Sequence, residues 1–401
     1  MPVPKGKQAA SVSPVILHAI HLVGGRLSSQ ANHIARSVEH LSRLFTKERK
    51  SLAPDYMDDS GHAAAYLSYF MAVNLSKIQV LLDELPAETL YAGQRTGLRV
   101  LDVGSGPGTG ALAVLDWLHQ KNLEDAQRLS VTAVDSSSEA LQQAKDLWSV
   151  YCREAGIQGA GMTPCERNIE RCSVESWGDR IRAESPFDLI IAANCLNELF
   201  AVAADPIASR AKLIAELLDV LAPHGTLMVV EPALRETSRA LHEVRDRLVW
   251  EKRCTVYSPC LHEQNCPALI DPDDWCHEER PWQLPAHIRE IDEEVGFIKD
   301  ALKFSYLLLR KDGRTMVPRD PHTFRVVSEL RELKGDTRAW VCNELGRSEI
   351  GRLDKVQSET NAPWSECQRG TIVRIEGLKR RDNASLVRIP DDGSVRIVRT
   401  I

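Results

Sequence analysis

The segment Val100-Leu101-Asp102-Val103-Gly104-Ser105-Gly106-Pro107-Gly108-Thr109-Gly110 connects an apolar run to a helical pattern through a glycine-rich loop. A short apolar strand, Arg99–Val103, runs into alternating glycines, and a helix is predicted at Ala111–Gln120. Glycine suits this loop because the backbone must turn sharply and let a ligand lie against it without a Cβ atom in the way. A glycine loop between a strand and a helix is where doubly wound sheets bind nucleotides.

The sequence on both sides of the loop supports a doubly wound parallel sheet, because strands and helices alternate with short connections. The predicted strands and helices that follow are Leu129–Val134, Ser137–Ala155, Phe187–Ala193, Ile207–Leu221, Gly225–Val230 and, much later, Lys303–Leu309. Upstream, the apolar stretch Val12–Gly24 and the helical spacing in Ala31–Phe45 and Ala63–Leu85 predict a helical region. From about Thr371 the pattern predicts short β-strands separated by turns.

The spacing of the glycines distinguishes among ligands. A dinucleotide-binding loop has glycines at the first, third and sixth positions, but the sixth position counted from Gly104 is Thr109. No Gly-Lys-Ser/Thr follows, which excludes a P-loop. Glycines at positions one, three, five and seven instead resemble motif I of the S-adenosylmethionine-dependent methyltransferases, so we expect S-adenosylmethionine as the cofactor.

Two acidic residues accompany the loop. Asp135 ends the second strand, where a carboxylate accepts hydrogen bonds from the ribose diol. Asp102 occupies the usual acidic position near the methionine end of the cofactor in methyltransferases. The expected cofactor-binding residues are Asp102, Gly104, Ser105, Gly106, Gly108, Asp135 and Asn194.

No catalytic residue can be assigned from the sequence. Methyltransferases that modify base nitrogens often have Asn/Asp-Pro-Pro-Tyr after the fourth strand, whereas this chain has Ala193–Glu198 without that clamp. Cys195 lacks the Pro-Cys context of a nucleophile in cytosine-C5 methylation, which favours a buried small residue instead.

The composition is that of a globular protein with an uneven charge. A chain of 401 residues is long enough for two or three domains. Of these residues, 43% are hydrophobic and 26% are charged, and no apolar run is long enough for a membrane span. The net charge of −6 divides into +6 over Leu302–Ile401 and −12 before it. A basic C-terminal part on an acidic body fits contact with a polyanion such as RNA, although uneven surface charge alone gives the same count. Its basic residues include Arg374, Lys379, Arg380, Arg381, Arg388, Arg396 and Arg399.

Four of the ten cysteines, Cys254, Cys260, Cys266 and Cys276, fall within one short segment. Thiolates at this density suit structural zinc or a 4Fe–4S cluster. The paired Cys-x-x-Cys of zinc ribbons and the Cys-x3-Cys-x-x-Cys of radical enzymes are both absent from the segment. The spacing therefore predicts a metal centre and leaves the choice between zinc and a cluster open.

The same segment carries a family resemblance. Residues Pro259–Pro267 read Pro-Cys-Leu-His-Glu-Gln-Asn-Cys-Pro, and Asp274-Trp-Cys-His277 and Lys303–Leu307 follow. Together with the glycine loop, this combination resembles the methyltransferase-like assembly-factor family of the small ribosomal subunit, which occurs in mitochondria and bacteria. The resemblance covers roughly Leu98–Trp364, and Glu278 stands where the family usually has an aromatic residue.

The resemblance implies a 4Fe–4S cluster held by Cys260, Cys266, Cys276 and a cysteine of a later strand. We assign that fourth ligand to Cys342, with Cys254 and Cys367 as alternatives and zinc as the alternative metal. The implied function is a cofactor-binding, iron–sulfur protein that associates with the rRNA and proteins of the small ribosomal subunit and supports its assembly. The alternatives are an active rRNA methyltransferase and a zinc-stabilised methyltransferase acting on a protein or a small molecule.

The expected architecture is an α/β, Rossmann-like class I methyltransferase sheet with three additions: an N-terminal helical region, a cysteine-rich insertion and a small β-rich C-terminal domain. We expect an N-terminal helical region at 1–95, the cofactor-binding core at 96–250, a cysteine-rich metal-binding insertion at 251–300, final core strands at 301–345 and a basic β-rich domain at 346–401. We also expect a monomer away from the ribosome and no membrane association. The expected compartment is a bacterial cytoplasm, or the mitochondrial matrix if the source is eukaryotic.

Overall fold

A computed structural model gives the fold of residues 10–28, 34–52, 56–87, 89, 97–121, 124–171, 181, 184–380 and 386–400. Arg381 of the basic C-terminal set lies outside these described residues, as do residues 31–33 of the second predicted helix. Within these ranges no helix is long and apolar enough to cross a membrane.

The N-terminal region is helical, as the apolar spacing predicts. Its helices are α1 (Pro14–Ser28), α2 (Ile34–Thr46), α3 (Ser60–Ala65) and α4 (Met71–Leu82), with a π-helical turn (Tyr66–Phe70) between α3 and α4. α2 is amphipathic and buries one face, which consists of Ala35, Val38, Leu41 and Leu44. α4 is buried on nearly every side, so the N-terminal region is part of the main body of the protein.

The first sheet contains nine strands. These are β1 (Ala10–Ser11), β2 (Arg99–Val103), β3 (Ser130–Asp135), β4 (Gly161–Glu166), β5 (Phe187–Ala193), β6 (Leu221–Pro232), β7 (Thr255–Ser258), β8 (Glu278–Gln283) and β9 (Ala301–Arg310). Five of them are parallel, in the order β4-β3-β2-β5-β6, and β9 pairs antiparallel with β6. The carboxyl ends of the five parallel strands therefore lie along one edge, where doubly wound folds bind ligands.

Helices cover both faces of this sheet. They are α5 (Thr109–Gln120), α6 (Ser138–Ala155), α7 (Pro206–Asp219) and α8 (Arg235–Trp250), and α9 (Ala286–Val295) follows β8. Side chains alternate across a strand, so Val100 packs in the layer that contains α4, α5 and α6, while Leu101 and Val103 pack in the layer that contains α7 and α8. The predicted class I methyltransferase-like α/β architecture is confirmed.

The cysteine segment is joined to the edge of the first sheet. The strands within it, β7 and β8, both pair antiparallel with β9. Two strands of the expected insertion at residues 251–300 therefore extend the core sheet.

The C-terminal strands form a second sheet. They are β10 (Thr323–Val326), β11 (Arg331–Leu333), β12 (Asp336–Asn343), β13 (Gly346–Leu353), β14 (Ile372–Glu376), β15 (Lys379–Arg380), β16 (Leu386–Arg388) and β17 (Ser394–Arg399). The boundary that we expected between residues 345 and 346 falls in the turn of the β12–β13 hairpin, because these strands pair along their whole length. Residues 323–345, which we expected to finish the core, therefore belong to the second sheet.

Candidate functional site

The glycine loop lies where β2 ends and α5 begins. Gly104 and Gly106 have φ angles of 64° and 52°, a backbone conformation that glycine adopts without strain. A Cβ atom on Gly104 would collide with the side chain of Cys195, whereas one on Gly106 would meet open space. One side of the loop thus packs against the protein, and the other faces a space that a ligand can enter.

Asp102 is buried beneath the loop at the end of β2. Its Oδ2 accepts hydrogen bonds from the Oγ of Ser105 and from the backbone N–H of Ala111, each at 2.8 Å. Burial raises the pKa of this carboxyl to about 6, although both hydrogen bonds favour its charged form. Asp102 therefore connects the glycine loop to the first turn of α5.

Asp135 lies at the end of β3, on the neighbouring side of the loop. One carboxylate oxygen accepts a hydrogen bond from the N–H of Gly106 at 2.8 Å, and the other accepts one from the N–H of Ser137 at 2.9 Å. A carboxylate oxygen can accept more than one hydrogen bond, so Asp135 keeps the capacity to bind a ribose diol.

The segment after β5 has an unusual backbone. Asn194 and Phe200 have φ angles of 56° and 59°, which residues other than glycine rarely adopt. The N–H of Asn194 donates to the carbonyl of Val230 at 2.7 Å, which fixes the start of the segment to β6. Backbone conformations of this kind cluster at functional sites, because surrounding contacts must hold them in place.

Cys195 packs against the glycine loop. Its Sγ donates to the carbonyl of Val103 at 3.2 Å, and burial raises the pKa of the thiol well above its usual range. A protonated, hydrogen-bonded thiol is a poor nucleophile, since the thiolate is the reactive form. This geometry favours the packing role over nucleophilic catalysis.

The N-terminal region forms another wall beside the loop. The hydroxyl of Tyr66 lies 3.3 Å from the Oγ1 of Thr109, at the start of α5. Arg49 donates to the side-chain oxygen of Asn197, and Arg210 donates to the backbone carbonyl of Asn197 at 3.0 Å. We call the space between the glycine loop, residues 194–200 and these helices the glycine-loop cleft.

Two carboxyl groups that the sequence analysis did not single out lie at this cleft. Glu198 has an exposed side chain, yet desolvation by the surrounding protein raises its pKa to about 7. Glu231, at the end of β6, is 1% exposed, and burial raises its pKa to about 8. Their position at the ends of predicted strands is the one sequence signal that indicates them.

Four cysteines line a second cavity, which we call the cysteine cavity. Cys260, Cys266 and Cys276 come from the segment between β7 and β8, and Cys342 comes from β12 of the second sheet. The cavity has a volume of about 40 Å³, more than one water molecule needs. The fold therefore brings together the four cysteines that the resemblance implies as metal ligands.

The two alternative fourth ligands do not line this cavity. Cys367 is buried in the core of the second sheet, where its Sγ donates to the carbonyl of Pro363 at 3.4 Å. Cys254 packs against the hydrophobic layer that contains α7 and α8. Of the three candidates, Cys342 is the one that shares the cavity with the other cysteines.

Arginine side chains surround the cysteine cavity. Arg325, Arg347 and Arg369 line it, and each has a buried N–H group without a partner among the described residues. Each of these arginines also pairs with a carboxylate, Arg325 with Glu278, Arg347 with Asp274 and Arg369 with Glu279. The cavity thus combines four cysteine sulfur atoms with buried N–H donors, which can hydrogen-bond to a metal–thiolate centre.

The four thiols are not arranged around a single ion. Across the described part of the chain, no group of three or more His, Cys, Asp or Glu side chains is close enough to hold one metal ion. A tetrahedral zinc ion needs all its sulfur ligands about 2.3 Å from one centre.

The basic C-terminal residues are partly neutralised. Arg374 pairs with Asp320 and Glu376, Arg388 pairs with Asp336, and Lys379 pairs with Asp392. Arg396 is exposed and has no ion pair within the described ranges. The face that we expected to contact phosphates is thus less positive than the residue count indicates.

The sheet order, the glycine loop and the acids at the ends of β2 and β3 define a methyltransferase-like protein of the S-adenosylmethionine-dependent class. The chain belongs to the family described as mitochondrial small ribosomal subunit Rsm22, whose model matches residues 60–355. This match confirms the family resemblance drawn from the cysteine segment and the loop. No curated protein matched the sequence.

Several solved structures are similar to the chain. A Listeria monocytogenes protein described as a class I S-adenosylmethionine-dependent methyltransferase is 13% identical, with 76% of this chain and 90% of that chain covered and a TM-score of 0.40. An rRNA methylase from Streptococcus thermophilus is also 13% identical, with 58% and 96% covered and a TM-score of 0.28. An O-methyltransferase family protein from Burkholderia thailandensis is 13% identical, with 74% and 73% covered and a TM-score of 0.33.

Proposed function

We propose that this protein binds S-adenosylmethionine and a 4Fe–4S cluster, associates with the small ribosomal subunit and supports its assembly. The family match over residues 60–355 is the observation that carries the ribosomal part of the proposal. The family description is mitochondrial, which fits the mitochondrial alternative for its compartment. The partners that we propose are rRNA and proteins of that subunit, with the protein monomeric away from it.

Binding of S-adenosylmethionine is supported by the glycine-loop cleft. Gly106 leaves open space where a ligand can approach the backbone, and Asp135 has the capacity to accept hydrogen bonds from a ribose. Asp102 and Ser105 hold the loop in shape by a direct hydrogen bond. Asn194 lies across from the loop, at the end of the neighbouring strand β5.

The cluster is supported by the chemistry of the cysteine cavity. Cys260, Cys266, Cys276 and Cys342 would hold it, because a 4Fe–4S cluster takes four thiolate ligands on separate iron atoms. An anionic cluster would also supply the acceptor that the buried arginine N–H groups lack. When bound, the cluster would connect the segment between β7 and β8 to β12, and thereby the first sheet to the second. Zinc is the alternative metal for the same four cysteines.

A role in assembly is favoured over methyl transfer. The residues after β5 lack the Pro-Pro-aromatic clamp, and Cys195 is packed as a neutral thiol against the loop. An active rRNA methyltransferase is the second candidate, and one observation favours it. Glu198 and Glu231 have pKa values raised into the range of a general base at neutral pH.

The experiment compares ribosomes from cells that lack the protein with ribosomes from cells that express it. We expect the deletion to reduce mature small subunits and the protein to co-sediment with small-subunit precursors. We expect the map of rRNA methyl groups to be the same in both cells. Normal small-subunit levels without the protein would contradict the assembly role. A methyl group that wild-type protein restores and a Glu198→Gln variant does not restore would establish the second candidate instead.

A further inference from the structure

A lysine and a glutamate are buried beside the glycine-loop cleft, and neither has an ion-pair partner among the described residues. Lys77 on α4 is 8% exposed, and Glu231 at the end of β6 is 1% exposed. Charged side chains are rarely buried to this extent unless a counter-charge pairs with them. Neither residue forms an ion pair with any other described residue, so neither side chain has a counter-charge in contact with it.

The ammonium group of Lys77 has unused hydrogen-bonding capacity. Its Nζ donates to the Oδ1 of Asn74 at 3.0 Å, and this is its one hydrogen bond among the described residues. An ammonium group has three donors, so two are available. Desolvation and the neighbouring Lys299 together lower the pKa of Lys77 to about 7, although Glu231 acts in the opposite direction.

The carboxyl group of Glu231 has an acceptor oxygen without a hydrogen-bond partner among the described residues. Its Oε2 accepts the N–H of Asn197 at 3.2 Å, while its Oε1 is buried with no partner among the described residues. Lys77 is near enough to attract Glu231 electrostatically but does not approach within ion-pair distance. Arg49 and Arg210 also act on Glu231 electrostatically without approaching within ion-pair distance. The Nζ of Lys77 and the Oε1 of Glu231 therefore both retain hydrogen-bonding capacity.

Both residues connect to the cofactor-binding edge of the sheet. From Lys77, hydrogen bonds lead through Asn74 to the hydroxyl of Tyr66 at 3.5 Å, and Tyr66 contacts Thr109 in the first turn after the glycine loop. Glu231 holds the segment that begins at Asn194, through its bond to Asn197. Lys77 is thus linked by hydrogen bonds to the start of α5, and Glu231 to the segment on the other side of the glycine-loop cleft.

We propose that Lys77 and Glu231 form a binding site for a zwitterionic α-amino acid group, the methionine end of S-adenosylmethionine. Lys77 would bind the carboxylate of this group, and Glu231 would bind its ammonium. A zwitterion satisfies both open positions at once, whereas a phosphate would satisfy only Lys77 and an amine only Glu231. The inference rests on the proposed binding of S-adenosylmethionine, and it makes the N-terminal helical region a part of the cofactor site.

The test compares two ligands that differ in this group. S-Adenosylhomocysteine carries the amino acid group, and 5′-methylthioadenosine lacks it. Calorimetric titration of the full chain should show that Lys77→Met and Glu231→Gln each weaken binding of S-adenosylhomocysteine by about 10- to 100-fold, as expected for a lost charge-assisted hydrogen bond. Both variants should bind 5′-methylthioadenosine within about 3-fold of wild type, because it makes no contact with either residue. Circular dichroism melts would show that the variants are folded.

Lys299→Met is the matched control. Lys299 is also desolvated, but it has the carboxylate of Asp292 near it and lies over the ring of Tyr69. This variant should keep the wild-type ratio of the two affinities. Equal losses for both ligands in Lys77→Met would overturn the assignment, as would free methionine binding as tightly as S-adenosylhomocysteine. A wild-type protein that binds neither adenosyl ligand would contradict the proposed cofactor itself, which separates the two failures.

Discussion

The glycine-loop cleft and the cysteine cavity are assembled in different ways. The cleft is formed at the ends of neighbouring parallel strands, so Asp102, Gly104 and Asp135 meet because of the register of one sheet. The cavity requires Cys342 from the second sheet to meet Cys260 from a segment at the edge of the first. A motif within one loop largely determines its own geometry, whereas dispersed ligands acquire their geometry only when distant parts of the chain pack together.

The two regions also differ in charge. The cleft contains the carboxyl groups of Asp102, Glu198 and Glu231, all with raised pKa values. Arg325, Arg347 and Arg369 line the cavity, and each keeps one buried N–H group without an acceptor among the described residues. These surroundings suit different ligands. The carboxyl groups of the cleft can bind ammonium and hydroxyl groups, and the cavity can bind a metal cluster that is held by cysteine sulfur atoms.

The largest expected effect comes from breaking the connection between the sheets. Cys342→Ser should remove the cluster and lower the free energy of unfolding by roughly 3–5 kcal/mol, about the value of a native cross-link. Absorbance near roughly 400 nm and chemical denaturation measure the two effects. Cys254→Ser is the control, since Cys254 lies outside the cavity, and it should retain the absorbance. If Cys254→Ser loses the absorbance and Cys342→Ser retains it, the fourth ligand is Cys254 and not Cys342.

The next effect concerns the glycine loop. Gly104→Ala places a Cβ against Cys195 in a positive-φ conformation, so we expect a loss of about 2–4 kcal/mol in stability and at least about 10-fold in affinity for S-adenosylhomocysteine. Gly156→Ala tests the strain alone, because Gly156 has a φ of 67° and open space around it. It should cost about 1 kcal/mol and leave the affinity unchanged. Equal affinities in the two variants would mean that the loop does not bind this ligand.

A smaller effect is a difference in pH dependence. The pKa of Glu231 is raised to about 8 in the folded protein from an ordinary value of 4.5, so the folded state holds this proton more tightly. Protonation of Glu231 in the folded state therefore contributes its full stabilisation below about pH 4.5, and this stabilisation is lost as the pH rises through about 8. Glu231→Gln removes this titration and should therefore gain roughly 1–3 kcal/mol relative to wild type between pH 5 and pH 9. Parallel stability profiles for the two proteins would show that Glu231 ionises normally.

The smallest effect is expected at the basic face of the second sheet. Arg396→Ala should weaken binding to small-subunit rRNA a few-fold and reduce the slope of log affinity against log salt by about 1, as for one lost phosphate contact. Lys212→Ala removes an exposed lysine of α7, far along the chain from this face, and serves as the control. If both variants lower the slope equally, the RNA contact is not specific to the second sheet.

The sequence was sufficient for the features that depend on local pattern. The glycine loop, the helices of the N-terminal region and the parallel strands β2, β3, β5 and β6 were predicted because each has its own periodicity or spacing. The parallel strand β4 was not predicted, because Gly161-Met-Thr-Pro-Cys-Glu166 lies at the edge of the sheet and is only partly buried, so it has no continuous apolar run. β8 was missed because Glu278-Glu-Arg-Pro-Trp-Gln283 has charged residues inside a buried strand, where the ion pairs of Glu278 with Arg280 and Arg325 compensate for their burial. The domain boundary near residue 345 was misplaced because a hairpin turn and a domain boundary have similar sequences.

The residues of the candidate site also differ in whether the sequence alone indicates them. Asp102 and Asp135 could be named from their distance to the loop, and Cys342 from the family resemblance. Lys77 could not be named, because a lysine in an apolar helix carries no motif, and its buried, unpaired state arises only when α4 packs near the end of β6. Glu231 is similar, since its missing partner is visible only in the folded protein.

The measurement that tests the central claim most directly is the metal and sulfide content of the full chain purified without oxygen. A 4Fe–4S cluster held by Cys260, Cys266, Cys276 and Cys342 predicts about four iron atoms and four acid-labile sulfides per chain, together with a brown colour. A colourless protein that contains one equivalent of zinc and no iron would contradict the cluster, and with it the proposed connection between the two sheets.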